Sequence, residues 1–145
     1  MVYIEAPFNK YIAQNVRRHI TSRISDASVI GQNSEVKENS IVEQSVIGAN
    51  CTIGQNVTIK RSIIWDNTEI HDNCTIVDSL ICDNVIINRN CVIEAGIRLD
   101  KNVQVKEGVV LASNTMVSCR SVVQANFNAS IEFPPIEEVE ETCFT

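Results

Sequence analysis

Aliphatic side chains recur along this chain every six residues, and the rhythm is broken three times by a step of five. The series runs Ile24, Ile30, Val36, Val42, Ile47, Ile53, Ile59, Ile64, Ile70, Ile76, Ile81, Ile87, Ile93, Leu99, Val105, Leu111 and Val117. The short steps fall at Val42–Ile47, Ile59–Ile64 and Ile76–Ile81, so each closes a group of three. A helix places apolar residues three and four apart, and a half-buried strand alternates over several residues. Neither produces one aliphatic per polar hexapeptide. The pattern predicts very short strands wound around a triangular core, the hexapeptide form of a parallel β-helix.

The corners carry their own pattern. Asn33, Asn50, Asn67, Asn84 and Asn102 form one column, and Asn39, Asn56, Asn73, Asn90 and Gly108 a second. Tight corners need left-handed backbone, which Asn tolerates and Gly adopts freely. The third column, counted forward from each core aliphatic, reads Ser45, Ser62, Ser79, Gly96 and Asn114. That count sends Val46, Ile63, Leu80, Ile97 and Thr115 inward beside the core. With a rung spacing near 4.8 Å, about six coils make a prism roughly 30 Å tall. Its interior is filled by side chains, so no internal ligand cavity is expected.

The aliphatic rhythm divides the chain into an irregular N-terminal cap at 1–23, a β-helix at 24–118, and a C-terminal cap with an acidic linker at 119–145. Within the last segment Pro134 and Pro135 precede Glu137, Glu138, Glu140 and Glu141, a composition typical of a flexible exit. Residues 1–23 and 119–131 are expected to cover the otherwise open ends of the sheets.

Composition narrows the function classes. Net charge is −6, which makes a phosphate backbone a poor direct partner. No apolar run reaches membrane-spanning length, and residues 1–20 lack the apolar stretch of a signal peptide, so a cytosolic protein is expected. Six cysteines are present. Cys51, Cys74 and Cys91 fall at small inward positions, none forms a C-x-x-C pair, and reduced thiols with no zinc are expected.

Catalytic constellations are sparse. His71 follows core Ile70, between Gly54 and Asn88 in its column, and His19 lies in the irregular N-terminal stretch. Neither has metal-ligand company, so no metal, cofactor or catalytic residue is assigned. Asp66 and Asp83 are stacked, but Lys101 continues their column, which reads as solvated surface charge. Outward apolar residues point instead to a contact surface. Trp65, the single tryptophan, follows Ile64, and Val77, Val92, Val110 and Ala112 form a stripe on another face. The candidate partner-binding residues are therefore Trp65, Asp66, Asn67, Asp83, Asn84, Val77, Val92 and Val110.

The stretch SVIGANCTIGQNVTIKRSIIWDNTEIHDNCTIVDSLICDN, from Ser45 to Asn84, resembles the β-helix domain of the epsilon subunit of translation initiation factor 2B. The SVIG-x-NC-x-IG run, the S-x-IW-D segment around Trp65 and the DSLI-x-DN segment carry the likeness. The resemblance implies a left-handed coil, a sense that spacing alone does not set. It also implies a place in the complex that exchanges GDP for GTP on initiation factor 2. In that family a nucleotidyltransferase-like domain precedes this region and a helical-repeat exchange domain follows it; neither pattern occurs here. The implied role is a non-catalytic scaffold that contacts other subunits, the gamma subunit especially, and initiation factor 2. Two alternatives stay open: a hexapeptide acyltransferase working through His71, and the β-helix domain of a sugar-nucleotide pyrophosphorylase.

Overall fold

The computed structural model describes residues 3–5 and 10–124. Those residues form twenty-one short β-strands and no helix. The strands stack into three parallel sheets, one per wall of a triangular prism. The first wall contains, among others, Lys10–Ile12, Val29–Ile30, Val46–Ile47, Ile63–Ile64 and Leu80–Ile81. The second runs from Arg17–Arg18 to Val122–Val123, and the third from Arg23–Ile24 to Val110–Leu111. Two walls hold seven coil strands and the third six, so the chain makes nearly seven turns.

Each coil is bonded to the next through the backbone. Thr58 N–H donates to the Cys74 carbonyl at 2.9 Å, and Glu69 N–H to the Val85 carbonyl at 3.0 Å. The core aliphatics pair in strict register, Ile47 with Ile64 and Ile64 with Ile81, and their side chains are fully buried. Branched aliphatics stacked at this spacing keep one rotamer and fill the prism without rings.

All three corner columns have left-handed backbone. Asn33, Asn50, Asn67, Asn84 and Asn102 have φ between 57° and 60°. The third corner departs from the forward count. On the five-residue sides the left-handed residues are Gln44, Arg61 and Asp78, all at φ 48°. Ser45, Ser62 and Ser79 are buried inside the prism, while Val46 and Ile63 are 40% and 46% exposed. The cause is strand geometry: residues two apart share a face. Counting back two from Ile64 places Ser62 inward and turns Ile63 out. The missing residue is lost before the corner, not after it.

Inward serine has a physical reason on these walls. Ser62 N–H donates to Ser45 Oγ at 3.0 Å, and Ser79 N–H to Ser62 Oγ at 3.1 Å. Ser62 Oγ in turn donates to the Lys60 carbonyl at 2.8 Å. The hydroxyls thus form a spine that satisfies buried amides from coil to coil.

Coil strands also occur outside 24–118. Tyr11 and Ile12 pair with Val29 and Ile30, and Arg17 and Arg18 with Glu35 and Val36. Ile12 and Val16 mark this first coil in the sequence as a degenerate one, because Arg18 holds the column that Val36 and Ile53 occupy above it. Backbone pairing persists where the aliphatic pattern has stopped. Tyr3–Glu5 runs antiparallel to Lys10–Ile12 and covers the starting edge of the first wall. The acidic linker expected at 132–141 lies outside the described residues.

Candidate functional surface

The prism is solid, so its outer walls carry whatever this domain does. Outward residues of the first wall stack as Tyr11, Val29, Val46, Ile63, Leu80, Arg98 and Met116. A second outward row, one residue past the core, contains Ala13, Gly31, Gly48, Trp65 and Cys82. Over the first five coils neither row contains a charge. The other walls differ. The second presents Arg17, Glu35 and Glu69, with Arg17 and Glu35 paired at 3.3 Å. The third presents Arg23, and pairs Lys60 with Glu43 at 3.6 Å.

Trp65 is 52% exposed, yet its backbone is held on both sides. Its N–H donates to the Ile81 carbonyl at 2.9 Å, and Cys51 Sγ donates to its carbonyl at 3.1 Å. Burial pushes the Cys51 thiol up to about 11, so it stays protonated and able to donate. Beneath the indole the row is only backbone. A Cβ on Gly48 would press against Asp66 Oδ1 and the Trp65 backbone, and one on Gly31 against the Gly48 backbone. Trp65 therefore continues a row of small residues, beside a ridge of Val29, Val46 and Ile63. Aromatic anchors on rigid backbone next to apolar ridges are the usual makings of an interface centre.

The other candidate residues fall into two places. Asp66, Asn67, Asp83 and Asn84 lie at the corner between the first and second walls. Asp66 Oδ1 accepts from the Ala49 N–H at 2.9 Å, and Asn67 and Asn84 supply the left-handed turns. Val92 and Val110 stack in one outward row of the third wall. Val77 sits on that wall too, but in the row of Lys60, on the other side of the core residue. Val110 is exposed, while Val77 and Val92 are half-buried. Forward counting missed Val46, Ile63 and Leu80 as surface residues; the buried residue two places before each core aliphatic was the available signal.

Among the described residues no group of three or more His, Cys, Asp or Glu could hold a metal ion. They contain no helix long and apolar enough to cross a membrane. Cys51, Cys74, Cys82 and Cys91 are free thiols. Cys119 departs from the expectation of reduced cysteines, because it is disulfide-bonded. It lies two residues past core Val117 and is half-buried.

Comparison with solved structures shows the same fold at low identity. UDP-N-acetylglucosamine acyltransferase from Bacteroides fragilis superposes with a TM-score of 0.52 at 16% identity, covering 83% of this chain and 68% of that one. The acetyltransferase domain of PglB from Neisseria gonorrhoeae, in complex with acetyl coenzyme A, gives 0.50 at 18% identity, covering 76% and 51%. No curated protein matches the sequence. The model for the EIF2B subunit epsilon LbH domain matches residues 8–111, well over half of the chain. The chain belongs to the family of the EIF2B subunit epsilon LbH domain, and its prism is that family's left-handed β-helix.

Proposed function

We propose that this domain is a non-catalytic docking scaffold in the exchange factor for translation initiation factor 2, working in the cytosol. The charge-free first five coils of the first wall, with Trp65 at their edge, meet another subunit, the gamma subunit foremost. The corner of Asp66, Asn67, Asp83 and Asn84, with the Val77, Val92 and Val110 wall, is left to contacts with initiation factor 2. The observation that carries this reading is the contrast between walls in a chain of this family. Five successive coils free of charge on one side are costly to expose and suited to burial against protein.

The acyltransferase reading has weaker support. His71 is exposed; its backbone N–H donates to the Ile87 carbonyl at 2.8 Å, and among the described residues its ring has no hydrogen-bond partner. A general base is normally held by a third group, and none holds this ring.

The test is co-purification of the complete complex with Trp65→Ala, Ile63→Asp and, on the second wall, Glu69→Ala. All three are expected to keep the unfolding midpoint of the domain. The first two should weaken retention of the gamma subunit by tenfold or more, about the effect of an interface hot spot, and Glu69→Ala should not. Unchanged retention in both first-wall variants would refute the docking role.

A further inference from the structure

The coils of the second wall donate their N–H groups in one direction, each to the coil that follows. Arg17 N–H donates to the Ser34 carbonyl and His19 N–H to the Val36 carbonyl, both at 2.9 Å. Glu35 and Lys37 repeat this against Cys51 and Ile53. By the same rule the carbonyls of the first coil face the N-terminal end of the prism. On the first wall Tyr3–Glu5 covers that edge. On the third, Lys10 Nζ donates to the Ile24 carbonyl at 3.3 Å. The second wall differs. Its strand Arg17–Arg18 has one neighbour, Glu35–Val36, and the Val16 and Arg18 carbonyls accept no hydrogen bond from a described residue.

This open edge is also the basic part of the chain. From Lys10 to Ser25 there is no Asp or Glu beside Lys10, Arg17, Arg18 and Arg23, in a chain of net charge −6. The Arg17 side chain points out from the wall and is 82% exposed, with Glu35 above it at 3.3 Å. Arg18 is the next residue and so takes the opposite face, in the column of Val36 and Ile53. It too is exposed. At the following corner Ile20 is 93% exposed. An unpaired strand edge is a template for another chain, and these side chains select which one.

We propose that the Arg17–Arg18 edge binds an extended acidic segment of a partner protein by strand addition, the segment's N–H groups donating to the Val16 and Arg18 carbonyls. Successive side chains of an added strand point to opposite faces and lie beside their cross-strand neighbours. Two consecutive acidic residues therefore meet Arg17 on the outer face and Arg18 on the inner one. On the outer face the acid continues the alternation that Glu35 and Arg17 begin. Ile20 gives an apolar footing to the residues beyond. A nucleic-acid strand fits less well. Its phosphates suit the arginines, but a phosphodiester backbone has no N–H donor for the carbonyls, and the net charge of the chain opposes it.

Fluorescence anisotropy on the full chain tests this with a short Thr- and Val-rich peptide that has a central Glu-Asp pair. Saturable binding is expected, weakening as salt is added. Arg17→Ala and Arg18→Ala should each weaken it about two- to fivefold, the worth of a cross-strand charge pair. The same peptide N-methylated at the acidic pair keeps its charge, loses its donors and should not bind. That arm needs no altered protein. Equal binding of the methylated peptide would overturn the proposal, because charge alone would then suffice. So would absence of binding to the unaltered chain. If binding then appeared once Glu137, Glu138, Glu140 and Glu141 were changed to Gln, the edge would belong to the chain's own acidic stretch and not to a partner. The edge lies outside the first wall, so these results and the subunit-retention experiment are judged separately.

Discussion

Asp66 Oδ1 lies 2.9 Å from the Ala49 N–H of the coil beneath, over the bare face of Gly48. The same device recurs at the next corner, where Asp72 Oδ1 takes the Gln55 N–H at 2.9 Å over Gly54. In each pair the carboxylate occupies the volume a side chain on the glycine would need. The glycine makes room, and the aspartate ties the turn to its neighbour. Asp66 therefore has a structural duty whatever else it touches.

Gly48→Ala is expected to destabilise the domain by about 1–3 kcal/mol, the usual range for overpacking. Asp66→Ala should cost about 0.5–1.5 kcal/mol for the lost hydrogen bond. The two changes meet at one point, so their combination should cost less than the sum of the singles. Denaturant unfolding of the four proteins measures this. A strictly additive double variant would mean that Asp66 and the added methyl do not compete for that space.

The serine spine separates two readings of the five-residue sides. Ser62→Ala removes the acceptor for the buried Ser79 N–H and is expected to cost about 1–3 kcal/mol. Ile63→Ser, on the solvent side, should stay within about 0.5 kcal/mol of the parent. Thermal unfolding distinguishes them. If Ile63→Ser proved the more damaging change, Ile63 would be facing the core.

These sides also show how far a sequence can be read. The core column and two corner columns were legible because Ile, Val and Asn are each selected there by a single demand, burial or left-handed backbone. The third corner was not, because Gln44, Arg61 and Asp78 adopt φ 48° without a glycine or asparagine to announce it. Counting forward across the lost residue then exchanged inside for outside, and Ile63 was assigned to the core. The first coil was legible only in part, from Ile12 and Val16, because Arg18 stands in an aliphatic column, and no local pattern marks Cys119 for a disulfide. Trp65 was visible as an exposed aromatic, but the uncharged wall around it appears only once Val46, Ile63 and Leu80 are turned outward.

Asn67 tests whether a corner residue serves the turn or a partner. At φ 58° an alanine should cost about 1–2 kcal/mol for its left-handed backbone, whereas glycine adopts that conformation readily. Asn67→Gly is therefore expected to fold as well as the parent. Chemical denaturation gives the stabilities and co-purification the binding. Loss of partner retention in a well-folded Asn67→Gly protein would assign the side chain to the interface.

Arg61 and Asp78 join successive coils on the five-residue side, with Nε donating to Oδ1 at 2.7 Å and an Nη2 donor to Oδ2 at 3.1 Å. These hydrogen bonds, helped by the charge of Arg61, hold the Asp78 carboxyl below its ordinary value of 3.8. The folded state thus favours the carboxylate more than the unfolded chain does. The pair's contribution is present above pH 3.8 and is lost as pH falls through the lower folded value. Both groups are exposed to solvent, so the effect is small and screened by salt. Asp78→Asn should lower the unfolding midpoint slightly near neutral pH in dilute buffer. The gap should narrow with added salt and close in strong acid. A gap that widened as the acid titrated Asp78 would have the wrong sign for a pair that stabilises the charged form.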